Sequence, residues 1–329
     1  MNKSIQQIVY NKECCSCGIC VGVCPKLAIT LEIDNGIPTP KIDLNKCVNC
    51  GLCSSICPGK SGIEEYIKIA PSEITEYCSG TFSQVEICRT NNMELLSKTT
   101  SGGVISSILS TLLSEKEKYG YKKAFVVKSN NFSTIAETCA CTCAEEIAGS
   151  EKSRYISVSQ KNTVQYILSH KDEKIVITGT SCAIQGISNV IEHFDLNREN
   201  YLLIGVFCDK LMTYHVWDYF NKFGHAPAKL QELFFRTKEG NGWPGNVKLI
   251  FDMITLCLPK IYRSQVKDFF CHPRCMYCID KLNRYADISV GDNYSGEYAD
   301  PMGSSCVIVR TDIGMRAYNS IRAMCKVNN

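Results

Sequence analysis

CCSCGICVGVCP at residues 14–25 and CVNCGLCSSICP at residues 47–58 decide the front of this fold. Each follows C-x2-C-x2-C-x3-C-P, the spacing with which bacterial ferredoxins hold two [4Fe–4S] clusters. Three thiolates on a tight loop each reach one iron of a cube. The fourth, just before the proline, turns toward the other cube. The pattern therefore predicts one cluster on Cys14, Cys17, Cys20 and Cys57, and a second on Cys47, Cys50, Cys53 and Cys24. Gly18 and Gly51 occupy matching places in the two loops, where a side chain would crowd a cluster. Eight cysteines in two matched copies are a poor fit to a pair of zinc knuckles. Cys15 falls outside the spacing and reads as a spare thiol. Between the copies, LAITLEID followed by Asp34-Asn35-Gly36 predicts a hairpin.

Outward from these loops, 329 residues leave room for a second, larger domain. The expected division is 1–78, a two-cluster ferredoxin-type domain, and 79–329, a domain binding a further cluster and a flavin. The chain has 22 cysteines, and neither a secretory signal nor an apolar run of membrane-spanning length is visible. A disulfide framework is therefore not expected, and a reducing, cytoplasmic setting with metal or redox chemistry is. The formal charge of +3 counts thiols as neutral. Each cluster with its four thiolates adds roughly −2, so the apparent basic surplus gives no reason to expect nucleic acid as a partner.

From about residue 80 apolar strand patterns alternate with amphipathic helix patterns. Strands are expected at KKAFVVK, EKIVITG, YLLIGVF, NVKLIFD, ADISV and SSCVIV. Helices are expected at GGVISSILSTLLSEKEKY, VSQKNTVQYILSH, CAIQGISNVIEHF, YHVWDYFNKF and IGMRAYNSIRAMCK. The fold class is thus an α+β ferredoxin-like domain followed by an α/β domain with a mixed sheet. Residues 229–262 read as antiparallel strands. Function should gather at strand carboxyl ends, where Gly179-Thr180-Ser181-Cys182, Cys208-Asp209-Lys210 and Gly291-Asp292-Asn293 follow apolar strands. Thr100-Ser101-Gly102-Gly103 precedes a helix; it could admit a phosphate to the first-turn amides or be an ordinary cap.

Cys271, Cys275 and Cys278 show C-x3-C-x2-C, a spacing shared with radical S-adenosylmethionine enzymes. Only about fifty residues follow, against the roughly 200 or more of a barrel, so that reading fails. A third [4Fe–4S] site on Cys182, Cys208, Cys275 and Cys278 fits better, with Cys271 competing for the fourth place and a zinc clip as the alternative. Cys139, Cys141 and Cys143 alternate along a strand and read as small core residues.

Taken together, Thr100–Val104, Lys152–Tyr155, Gly179–Cys182, Gly205–Cys208, Cys275–Asp280 and Ala286–Asp292 resemble the family of coenzyme F420 hydrogenase/dehydrogenase beta subunits, with a two-cluster ferredoxin fused in front. The resemblance implies an oxidoreductase with FAD beside a [4Fe–4S] cluster, exchanging hydride with a small donor or acceptor that is often F420. It implies that Ser101, Gly102, Gly103, Ser153, Arg154, Tyr155, Gly179 and Thr180 line the flavin. Ser181 and Ala183 stand where the family usually has proline and glutamine, departures that bear on the substrate. A flavin between clusters and hydride carrier has a physical rationale, because clusters pass electrons singly and hydride carries a pair. The redox partner would be ferredoxin or another subunit. The competing reading is a non-catalytic electron-transfer subunit whose larger domain only docks a partner. Lys210, Asp280 and Asp292 are candidate proton sources.

Overall fold

The structure, a computed structural model, describes residues 4–60, 70–225 and 227–328. At the front, β1 (Ile29–Asp34) and β2 (Ile37–Ile42) pair antiparallel as expected, with Asp34 opposite Ile37. Asn35 and Gly36 close the hairpin at φ 49° and 73°, the left-handed pair that a two-residue turn requires. Short helices Ile19–Val23 and Leu52–Ser55 follow the two cysteine loops, each opened by a left-handed glycine, Gly18 or Gly51.

The remaining strands are β3 (Gln84–Thr90), β4 (Lys123–Val126), β5 (Ala136–Glu137), β6 (Cys139–Cys141), β7 (Val158–Ser159), β8 (Ile175–Gly179), β9 (Tyr201–Val206), β10 (Leu230–Thr237), β11 (Asn246–Phe251), β12 (Thr255–Leu258), β13 (Ile288–Asp292), β14 (Ser305–Val309) and β15 (Cys325–Asn328). Eight of them form one mixed sheet in the order β15-β3-β14-β13-β9-β8-β4-β6. Its centre, β13-β9-β8-β4, is parallel. Those four strands are apolar and buried through Ala124–Val126, Val176, Leu202–Ile204 and Ile288, as a sheet covered on both faces demands. Helices Val104–Ser114 and Asp312–Arg322 pack against one face. Helices Lys161–Ser169 and Ser181–His193 cover the other. Strands β10–β12 form a separate antiparallel sheet, packed with helices His215–Asn221 and Lys260–Phe269.

Three expectations shift. Helix is expected from Val158, but Val158–Ser159 pairs with Ala136–Glu137 and the helix starts at Lys161. The last helix ends at Arg322, and Cys325–Asn328 joins β3 as an edge strand. Strand β3 escapes the apolar pattern because its inward residues include Glu86 and Thr90. The buried Glu86 carboxylate is satisfied by Tyr318 Oη at 2.6 Å and Arg322 Nη2 at 2.5 Å. The antiparallel reading of 229–262 holds through β12; Lys260 begins a helix behind Pro259.

The cysteine loops pack against the two helices that cover one face of the large sheet. Ile19, Val23 and Ile56 are buried in the same cluster as Val164, Ile184 and Ile187. Small residues allow the approach: a Cβ on Gly22 would lie 2.6 Å from Val164, and one on Gly186 would lie 2.9 Å from Ile19. Gln160 N donates to Cys17 O at 2.8 Å, and Asn189 Nδ2 to Ile56 O at 2.9 Å. No helix among the described residues is long and apolar enough to cross a membrane.

Replacing Ile19 by Ala removes a side chain only 1% exposed and should cost about 2–5 kcal/mol. Denaturant titration under anaerobic conditions measures it; a loss near zero would mean that the seam is not packed as described.

Candidate functional site

The parallel strands end together, and their last residues share one wall. Val126 of β4, Gly179 of β8, Val206 of β9 and Asp292 of β13 all line a cavity of about 540 Å³. Asn283, fully buried, ties two of these ends together: its Nδ2 donates to Gly179 O at 3.0 Å and Val206 O at 3.4 Å. Gly205 must stay small for this, since a Cβ there would lie 2.4 Å from Asn283.

Beside the cavity lie the cysteines. Cys182 opens helix Ser181–His193 just past β8, and Cys208 follows β9. Cys275 and Cys278 come from the turn at Pro273–Tyr277. All four line one hollow with Ser181, His272, Arg274 and Asp280. Cys271 does not line it; its Sγ approaches His272 O at 3.5 Å and Met276 Sδ at 3.6 Å. Cys208 belongs to both the hollow and the large cavity, so the two spaces share a wall.

The front cysteines lie close enough to feel one another's charge, across the two expected sets as well as within them. Burial, then repulsion from Cys14, Cys57 and Cys53, holds the Cys20 thiol well above its ordinary range. Cys57 is pushed up to about 12 by burial and by Cys14. Cys53 rises through burial and its neighbours Cys50, Cys24 and Cys47. In the hollow, burial and the surrounding thiols raise Cys208, and Cys275 to about 12. Thiols so placed stay protonated unless a cationic centre joins them. Amides already point at several sulfurs: Ser16 N to Cys14 at 3.4 Å, Ala28 N to Cys24 at 3.3 Å, Gly59 N to Cys57 at 3.4 Å and Leu211 N to Cys275 at 3.3 Å. Such bonds stabilise sulfur-borne negative charge. Among the described residues no three His, Cys, Asp or Glu side chains form a site for a single metal ion. A cube of four irons needs a wider set, one thiolate per corner.

The first front set and the hollow nearly touch. Cys15, read from the sequence as a spare thiol, is buried and its S–H bonds to Cys182. That contact lowers the Cys182 thiol and raises Cys15. Cys17 feels the charge of Cys182 directly, after burial and Cys57. Ser16 Oγ and His272 Nε2 meet at 2.9 Å across the same seam. Burial and the Arg274 charge bring His272 down to about 4, so its ring is neutral near pH 7. Cys139 and Cys141 lie on β6 as expected, but Cys143 falls past its end, and of the three only Cys141 is buried.

Seven of the eight residues expected around a flavin line the large cavity: Ser101, Gly103, Ser153, Arg154, Tyr155, Gly179 and Thr180. Gly102 is set behind the wall, where a Cβ would lie 2.6 Å from Cys88 O. Helix Val104–Ser114 starts at the wall from Gly103 at φ 76°, with no side chain capping its first amides. Arg154 spends its guanidinium on carbonyls, donating to Lys128 O at 2.8 Å, Ser129 O at 3.2 Å and Gly149 O at 2.5 Å. Lys152 lines the cavity and makes no ion pair among the described residues. A volume in the range of organic cofactor sites, open helix amides and an uncommitted lysine suit a phosphate-bearing planar ligand.

Sequence reasoning missed Arg236, Trp243 and Lys238. Asp292, a candidate proton source, accepts from Arg236 at 2.5 and 3.1 Å and from Trp243 Nε1 at 2.8 Å. Burial alone would raise Asp292, but the Arg236 charge wins and holds it below the usual carboxylate range. Lys210, another candidate, lines the cavity and pairs with Asp268 at 2.8 Å. Asp280, the third, lies at the thiol hollow, not the large cavity, and burial raises it. An arginine on the inward face of an apolar strand was the available signal for Arg236. The departures fall on both spaces: Ser181 lines the hollow, Ala183 the cavity.

Comparison with known proteins bears on both parts of the chain. Residues 172–328 match the family described as the C terminus of the coenzyme F420 hydrogenase/dehydrogenase beta subunit, and residues 13–61 match "4Fe-4S dicluster domain". The chain is 22% identical to the F subunit of F(420)H(2) dehydrogenase from Methanosarcina mazei, over 98% of this chain and 86% of that protein. Its fold resembles a chain of the F420-reducing [NiFe] hydrogenase complex from Methanosarcina barkeri, with a TM-score of 0.54 and 18% identity, covering 76% of this chain and 82% of that one.

Lys238, which donates to Ser101 O behind the cavity wall, gives a pH test. Burial, with Lys152 and Arg236 nearby, lowers it to about 8, while Leu96 O and Ser101 O accept from its Nζ. A lysine depressed on folding binds fewer protons in the folded chain, so its contribution to stability rises with pH from about 8 to about 10.4, the unfolded value. Denaturation of the wild type and Lys238→Met at pH 8 and pH 10 should show the wild type gaining relative to the variant; parallel behaviour would refute the depressed pKa.

Proposed function

We propose that this chain, which carries the C-terminal domain of coenzyme F420 hydrogenase/dehydrogenase beta subunits behind a 4Fe-4S dicluster domain, is an iron–sulfur flavoprotein oxidoreductase. It exchanges electrons between a redox protein or partner subunit and a small hydride carrier, with F420 as the favoured carrier. The support is one juxtaposition: the front thiols run through Cys15 and Cys182 into a hollow whose Cys208 also walls the large cavity.

In this reading Cys14, Cys17, Cys20 and Cys57 hold one [4Fe–4S] cluster, Cys24, Cys47, Cys50 and Cys53 a second, and Cys182, Cys208, Cys275 and Cys278 a third. The front loops then form a ferredoxin-like α+β unit within a domain of residues 1–78, and 79–329 is the flavin domain. When bound, the clusters supply one-electron transfer and FAD the exchange between single electrons and hydride. The chain's own residues bind and orient. Amides of Ser16, Ala28, Gly59 and Leu211 hold negative charge on sulfur. Lys152 and the open amides after Gly103 receive phosphate. Arg154 shapes the loop that carries Lys152, and Asp292 fixes Arg236 and Trp243 at the far wall. A reducing cytoplasm would keep the thiols available. The names of the relatives motivate F420; the cavity at the strand ends favours catalysis over mere docking.

Anaerobic reconstitution should give about twelve irons per chain, as three four-iron clusters require, and one FAD. Cys208→Ala should lose about four irons and keep the front eight. Lys152→Ala should weaken FAD binding about tenfold, the loss of one charge-assisted phosphate contact. Reduced F420, NADH, NADPH and reduced ferredoxin are then screened for flavin bleaching. A preparation without flavin that also refuses added FAD would end this reading.

A further inference from the structure

The hollow of Cys182, Cys208, Cys275 and Cys278 carries a buried hydroxyl that nothing satisfies. Ser181 lines the hollow and is 3% exposed. Among the described residues no partner meets its Oγ. A hydroxyl taken out of water is ordinarily met by a hydrogen-bond partner, because leaving it unmet forfeits the bond it made in water. The other uncharged polar side chains at the hollow have found partners. Gln185 Nε2 donates to Tyr285 Oη at 3.3 Å, His272 Nε2 meets Ser16 Oγ at 2.9 Å, and His272 Nδ1 accepts from Arg274 N at 3.3 Å. Asp280 Oδ2 is unmet as well, but an ionised carboxylate only accepts, whereas a hydroxyl can donate to sulfur.

The element that carries Ser181 is already turned toward sulfur. Ser181 is the first residue of helix Ser181–His193, and Thr180 before it caps no amide with its side chain. Instead Thr180 Oγ1 lies 3.5 Å from Cys182 Sγ. A thiolate only accepts, so this hydroxyl donates once Cys182 is a ligand. The positive end of the helix dipole stands at the same place. The helix start thus faces negative charge, and Ser181 is the part of it whose donor is unused.

We infer that Ser181 is a positioning residue for the third cluster: its hydroxyl donates to a sulfur of that cluster and raises the cluster's reduction potential. The inference rests on the cluster assignment proposed above and adds what sets the potential there. The sign follows from charge. A cube with its four thiolates carries roughly −2 when oxidised and one charge more when reduced, so a donor stabilises the reduced form more. One electron arrives, the hydroxyl keeps its proton, and no bond breaks. The electron is thereby favoured at the set that shares a wall with the large cavity.

The test is a potentiometric titration of the reconstituted full chain, followed by electron paramagnetic resonance and paired with iron analysis. Cys208→Ala, which lacks the third set, identifies that set's signal by difference. Ser181→Ala should keep about twelve irons per chain. At a fixed potential its third cluster should show a reduced-to-oxidised ratio about tenfold lower, a downward shift of roughly 59 mV for one electron, while the front signals stay in place. Ser181→Thr, which keeps a hydroxyl, should titrate close to the wild type. A third cluster in Ser181→Ala that titrates with the wild type would overturn the inference, as would a threonine variant that falls as far as the alanine one. Loss of about four irons from Ser181→Ala would assign the hydroxyl to holding the site together and would overturn it too. A wild type holding only about eight irons would instead strike the cluster assignment itself.

Discussion

Burying sulfur is the constraint on which this molecule turns. A thiol taken out of water resists ionisation, and each further thiol close by raises the cost of the next. Cys17, Cys20 and Cys208 are all driven up in this way, by burial first and by neighbouring cysteines second. The offsetting charge available from side chains is small: Arg274 touches the electrostatics of Cys15, Cys57, Cys182 and Cys278, and Lys281 that of Cys208 and Cys278, but two cations cannot balance twelve sulfurs. The fold therefore makes chemical sense around metal-borne positive charge, with the backbone supplying the rest through amide-to-sulfur bonds.

The larger part of the chain answers a different demand, that of bringing several loops to one edge. Parallel strands do this automatically because their carboxyl ends coincide. Asn283 then locks two ends together from beneath, and the Arg236–Asp292–Trp243 group stiffens the opposite wall. The site is thus built on strand ends and helix starts, with hydrogen bonds that leave its polar wall little freedom to rearrange.

How much of this was legible from the residues depends on how local the signal is. The cysteine loops, the Asn35-Gly36 hairpin and the apolar strands β4, β8, β9 and β13 are set by neighbours in sequence, and the structure shows them where the pattern places them. The grouping of Cys182 and Cys208 with Cys275 and Cys278 around one hollow was readable too, since sheet topology alone puts the first two at one edge. Strand β3 was invisible because its buried side carries Glu86 and Thr90 beside Cys88, and Glu86 is met largely by a distant helix. Cys15 illustrates the same limit. Nothing in its spacing announces that it will be pressed against Cys182, because that contact is made by the packing of one half of the chain on the other.

That packing is reciprocal. Gly22 of the front half is small where Val164 is large, and Gly186 of the back half is small where Ile19 is large. Each side carries both a key and a keyhole. A front segment of this kind is not an interchangeable cassette: transplanted onto another scaffold, it would present Ile19, Val23 and Ile56 to water and meet bulk where it needs a recess. A bulkier residue at Gly22 or Gly186 would need an answering recess at Val164 or Ile19.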